Sequence, residues 1–140
     1  SPGICNAVLT ESQYCVGVWV DGSRMLLEDV SSSVTSLQFC KDDYFRLRFL
    51  LLSDYPQLKH LKLEAKSLRY VDSFEAVDHA SIERIEIGYG CCLGTTREYQ
   101  QSRGSFCIRN CPNLTSLILS ASSFMNYSRF ELKSEIDDGI

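Results

Sequence analysis

The stretch Cys111-Pro112-Asn113-Leu114-Thr115-Ser116-Leu117-Ile118-Leu119-Ser120 admits three readings. Its cysteine suits a reactive thiol or a metal ligand, Asn113-Leu114-Thr115 is a glycosylation sequon, and the spacing of its leucines suits architecture. The spacing decides, because Leu114-x-x-Leu117-x-Leu119 recurs as Val34-x-x-Leu37-x-Phe39, Leu58-x-x-Leu61-x-Leu63 and Ile82-x-x-Ile85-x-Ile87. The starts at 34, 58, 82 and 114 lie 24, 24 and 32 residues apart. One period serves all of them if the third unit holds an insertion of eight. Self-similarity on this scale is the mark of a repeat architecture.

The remainder of each unit follows the same count. With the first apolar residue as zero, the first unit has apolar side chains at plus 10, 13, 16 and 18: Tyr44, Leu47, Leu50 and Leu52. The second has Leu68, Val71, Phe74 and Ala76, and the last has Phe124, Tyr127, Phe130 and Leu132. The third has Cys92 at plus 10 and rejoins eight residues late at Phe106 and Ile108. Its extra residues fall within 93–105, a polar, glycine-flanked stretch that reads as a surface loop. Such an insertion costs little closure entropy. Tyr55-Pro56-x-Leu58 and Cys111-Pro112-x-Leu114 match at the junctions, where proline favours an extended approach to a first strand position.

Leu-x-x-Leu-x-Leu with a further apolar residue at plus 10 resembles the leucine-rich repeat. The runs "CPNLTSLIL" and "YPQLKHLKL" look most like the irregular repeats of protist and bacterial repeat proteins. The resemblance spans residues 34 to about 132 and implies a β-rich repeat solenoid of short parallel stacked strands with little helix. The usual asparagine at plus 8 is replaced by Asp42, Lys66, Gly90 and Ser122. No asparagine ladder can form, which leaves room for a straighter solenoid than the regular horseshoe. Period-two runs such as Phe106-x-Ile108 and Phe130-x-Leu132 suggest a second line of strands.

Outside the repeat, residues 13–28 put Val16, Val18 and Val20 on one face, turn at Asp21-Gly22, and resume at Met25 to Leu27. Asp-Gly between apolar alternations signals a hairpin, and an end unit needs a cap. The expected organisation is an N-terminal cap over 1–33 and a repeat region over 34–140. A fifth start falls due at Asp138, inside the polar terminal run, so the chain is expected to stop within a longer array or in a polar cap.

Composition narrows the function. The chain has 140 residues, 44% hydrophobic and 23% charged, with a net charge of −4, as a folded domain should. Its 14 basic residues are scattered, which disfavours nucleic-acid binding. The longest apolar run, Phe49 to Leu52, is far short of the roughly 20 residues a membrane helix needs. The seven cysteines, at 5, 15, 40, 91, 92, 107 and 111, form no Cys-x-x-Cys pair. They read as reduced core hydrophobes, which favours an intracellular location; a disulfide among Cys91, Cys107 and Cys111, or a glycan on Asn113, would favour a surface or secreted one.

No motif for chemistry emerges. Only His60 and His79 are available as imidazoles; His60 sits between apolar strand positions and His79 at a junction. No nucleophile elbow is present, and Gly88-Tyr89-Gly90 reads as a turn rather than a phosphate cradle. We therefore expect no enzyme activity, metal, cofactor or small-molecule substrate. What remains is the strand face, where residues at plus 2, 4 and 6 point outward: Ser36, Gln38 and Cys40; His60, Lys62 and Glu64; Arg84, Glu86 and Gly88; Ser116, Ile118 and Ser120. Gln38, His60, Lys62, Glu64, Arg84, Glu86 and Ile118 are the candidate partner-binding residues. Arg97, Tyr99 and Arg103 of the insertion join them, because Tyr and Arg are favoured at hot spots. The expected function is a non-catalytic protein-protein interaction module. The alternatives are a secreted or cell-surface adhesion domain binding protein or glycan, and a targeting domain of a larger enzyme.

Overall fold

Runs in which every second residue is apolar become short strands that bury one face. The computed structural model describes residues 18–41, 47–94, 104–124 and 127–133. Its strands are β1 (Val18–Val20), β2 (Ser23–Met25), β3 (Ser36–Phe39), β4 (Phe49–Leu51), β5 (His60–Leu63), β6 (Ser73–Val77), β7 (Arg84–Ile87), β8 (Gly104–Arg109), β9 (Ser116–Leu119) and β10 (Tyr127–Lys133). Helix is confined, among the described residues, to two 3-10 turns, Leu27–Asp29 and Leu52–Asp54.

The strands form two sheets, ordered β2-β1-β3-β5-β7-β9 and β10-β8-β6-β4. From β3 onward the chain alternates between them. Parallel neighbours need a long crossover, and each crossover here is a strand of the opposite sheet. The register aligns Leu37, Leu61, Ile85 and Leu117 in the first sheet. It aligns Leu50, Phe74, Phe106 and Phe130 in the second. These inward side chains meet in a core where Phe74 stacks on Phe106 at 5.2 Å and 9°, and Phe106 on Phe130 at 4.2 Å and 5°. Phe124 meets Phe74 and Phe106 edge-on at 5.8 and 4.8 Å, a favoured aromatic geometry.

Backbone bonds tie each strand's flanks to the next. The N–H of Lys59 donates to Thr35 O, Glu83 to Lys59 O and Thr115 to Glu83 O, at 2.8, 2.8 and 2.9 Å. Lys66, Gly90 and Ser122 share a left-handed conformation with φ of 62, 70 and 63°. There the N–H of Lys66 donates to Tyr89 O and that of Gly90 to Ala121 O. Two residues on, Leu68, Cys92 and Phe124 are left-handed as well, at 51, 52 and 57°, and all three are buried.

The hairpin joins the larger sheet. β1 pairs antiparallel with β2 on one side and β3 on the other. Its turn residues Asp21 and Gly22 have φ of 50 and 87°, the positive values a tight two-residue turn demands. Asp21 Oδ1 accepts the Thr35 hydroxyl at 2.8 Å and the Ser36 N–H at 2.9 Å, which fixes the turn against β3. Its second strand ends at Met25, and the chain enters a 3-10 turn at Leu27 instead of continuing extended to that residue.

Several expectations need correction. Cys40 is not exposed: it lies on the outer side, as alternation has it, but is buried there against Trp19. Cys91, Cys107 and Cys111 are free thiols, in keeping with the reduced reading of the cysteines; Cys91 is enclosed, with its thiol donating to Glu64 O at 3.0 Å. Leu119, Phe130 and Leu132 hold inward positions yet remain 38, 57 and 58% exposed. Among the described residues β9 and β10 have a neighbour on one edge only, so nothing covers their outer side. Tyr44, Val16, Cys5, Cys15 and most of the insertion lie outside the described residues.

Candidate functional site

The outer face of the six-stranded sheet carries the side chains that alternation turns away from the core. One row runs across five strands in register: Trp19, Gln38, Lys62, Glu86 and Ile118. Beside it Ser36, His60, Arg84 and Ser116 form a second row. An open depression of about 320 Å³ lies over them, lined by Ser36, Gln38, His60, Lys62, Arg84 and Glu86.

Charges on this face are paired but not buried. Glu86 stands between two cations, with Lys62 Nζ at 3.9 Å and an Arg84 guanidinium nitrogen at 3.5 Å. One carboxylate between two cations leaves the pair with positive charge to spare. His60 Nε2 lies 3.7 Å from Glu83. Glu64 accepts the Gln38 side-chain amide and the Lys41 N–H, so it holds the end of β3 as well as facing solvent. Lys62 and Arg84 keep 49 and 55% of their side-chain surface exposed. Exposed pairs of this kind contribute little to stability, about 0–1 kcal/mol. The cost of re-partnering either cation is correspondingly small.

Gln38, His60, Lys62, Glu64, Arg84, Glu86 and Ile118 are thus brought to one surface, with Ile118 an exposed apolar side chain at its β9 margin. Arg97, Tyr99 and Arg103 lie outside the described residues. Two neighbours escaped sequence reasoning. Trp19 extends the central row because Val18 and Val20 turn inward; the alternation Val-Trp-Val carried that signal, and only the assignment of the hairpin to a separate cap hid it. Glu83 precedes β7, outside the strand count, and nothing in the alternation marks it as the partner of His60.

The remaining chemical candidates are structural. His79 is buried, its Nδ1 accepting the Ile82 N–H at 3.0 Å while Nε2 faces Tyr55 O at 2.8 Å. A backbone donor at one nitrogen and an acceptor at the other define a neutral ring protonated at Nε2. Burial pushes the thiols of Cys91 and Cys111 up from their ordinary range, against hydrogen bonds that draw them down. The Asn113 amide nitrogen donates to Ala80 O at 2.6 Å and the Thr115 hydroxyl to Glu83 O at 3.3 Å, so both sequon side chains brace the approach to β9. Among the described residues no group of three or more His, Cys, Asp or Glu is placed to hold a metal ion. No helix among them is long and apolar enough to cross a membrane. Comparison with protein-family models, curated proteins and solved structures found no match to the chain.

Proposed function

We propose that the chain is a leucine-rich-repeat-like solenoid of about four units with an N-terminal hairpin cap. It works as a non-catalytic module that binds a protein partner through the outer face of the larger sheet. The 24, 24 and 32-residue steps in register between β3, β5, β7 and β9 support the architecture. So do the backbone bonds from Lys66 and Gly90 to the next strand's flank, which do the work that an asparagine ladder does in regular repeats. β1 runs antiparallel at the edge of β3, as suits a cap.

The observation that carries the function is the row Trp19, Gln38, Lys62, Glu86 and Ile118 beside the depression. It joins an aromatic on an antiparallel edge strand to an aliphatic and two partly exposed charges on parallel strands of the same sheet. Interfaces favour such aromatic anchors within a polar surround, and repeat arrays bind through extended strand surfaces. The test is affinity capture with the wild type and with a Lys62→Glu/Glu86→Lys double variant, after matching their thermal stabilities. A partner held by the wild type and lost by the variant is the expected result. Equal recovery of every partner would remove this face as the binding site.

A further inference from the structure

We infer that the edge which β9 and β10 leave open among the described residues is a self-association surface, closed in solution by the same edge of a second copy. This is separate from the outer-face reading and stands on the end of the core. Leu119, Phe130 and Leu132 occupy inward positions whose counterparts Ile87, Phe106 and Ile108 are buried. One face of the Phe130 ring stacks on Phe106, while more than half of its surface stays exposed. Next to it a hollow of about 190 Å³ opens between the sheets, lined by Ile108, Cys111, Leu114, Leu132 and Lys133. An apolar layer beside two one-sided strands is a template for further strands.

The charges on β10 select the occupant. Its outward residues are Arg129, Glu131 and Lys133. When this strand pairs antiparallel with its own copy about Phe130, each Arg129 faces the other copy's Glu131, and Phe130 meets Phe130 across the dyad. Shifting the centre to Glu131 instead sets Glu131 against Glu131 and Arg129 against Lys133. Both registers keep Phe130 and Leu132 on the core side, so charge rather than hydrophobicity discriminates between them. A two-fold arrangement is isologous and closes at two copies. Leu119, Phe130 and Leu132 together expose on the order of 270 Å² of apolar surface per copy, given roughly 150–250 Å² for a large side chain. That is small beside a standard interface of about 1,600 Å² in total. The dimer is therefore weak and reversible.

Sedimentation velocity of the 140-residue chain from about 1 to 500 µM tests this, with circular dichroism confirming that each variant is folded. The expected result is a monomer–dimer equilibrium with a dissociation constant of tens to hundreds of micromolar, as the small area implies. Arg129→Glu and Glu131→Arg each place like charges at both Arg129–Glu131 contacts and should weaken the homodimer about five-fold or more. An equimolar mixture of the two variants should recover wild-type association, since every contact is again of opposite sign. The Glu131→Arg change also removes the exposed Arg109–Glu131 pair, at 3.7 Å, with little effect on folding. A monomer at every concentration overturns the proposal. So does association that continues beyond two copies, or a mixture no tighter than either variant alone.

Discussion

Truncating Phe106 and Phe130 separately compares two rings of one stack. Phe106 is fully buried, with ring centroids 5.2 Å from Phe74, 4.8 Å from Phe124 and 4.2 Å from Phe130. Phe106→Ala opens a cavity closed on all sides and should cost about 3–5 kcal/mol, a large share of the roughly 5–15 kcal/mol that holds a domain together. Phe130 is 57% exposed, so its truncation removes about 85 Å² of buried apolar surface out of roughly 200. At about 25 cal/mol per Å² this amounts to ~2 kcal/mol, and water fills the space left behind. Urea unfolding near 1 µM, far below the dissociation constant proposed above, measures both costs, followed by circular dichroism and by the fluorescence of the single tryptophan. Phe106→Ala should be the more destabilising by at least ~1 kcal/mol. Equal costs, or the reverse order, would refute the placement of Phe106 inside the core and Phe130 at its end.

Two further outcomes follow from buried polar groups. His79→Ala strands the Ile82 N–H and the Tyr55 carbonyl and should cost about 2–4 kcal/mol, whereas His60→Ala, on an exposed pair, should stay within ~0.5 kcal/mol; comparable urea midpoints for the two variants would contradict the bridging role. Burial is the first cause raising Cys91, Cys111, Tyr55 and Tyr127, so above about pH 8.5, the unfolded thiol value, the unfolded chain loses protons that the folded chain keeps. Stability is then complete below that pH and falls as pH rises toward the folded values. The urea midpoint should drop between pH 8 and 10.5, less steeply in Cys91→Ala, and a midpoint that holds or rises would count against enclosed thiols.

How far the sequence could be read depended on what alternation encodes. It places Leu37, Leu61 and Ile85 inside and Lys62 and Glu86 outside, because a strand turns successive side chains to opposite faces. It does not say what covers or binds an outward residue: Cys40 and Glu64 follow β3 and β5, and one packs under Trp19 while the other accepts the Lys41 N–H. Alternation also says which way Phe130 and Leu132 point without saying whether anything lies beyond them. Their exposure is a property of neighbours, not of spacing. Trp19 belongs to the hairpin, and only the pairing of β1 with β3 shows that its outward residue continues the row. Ion pairs such as His60–Glu83 join residues whose proximity only the register reveals.

The left-handed residues Lys66, Gly90 and Ser122 have a consequence for change over time. Among these, Lys66 and Gly90 hand their cross-strand tie to the peptide N–H, so no side chain there is committed to holding adjacent layers together. A lysine, a glycine and a serine occupy equivalent places in the register without disturbing it. At this step of the register the scaffold separates upkeep from display: the tie between layers is made by a group every residue but proline possesses, and the side chains there are free to drift without loosening it.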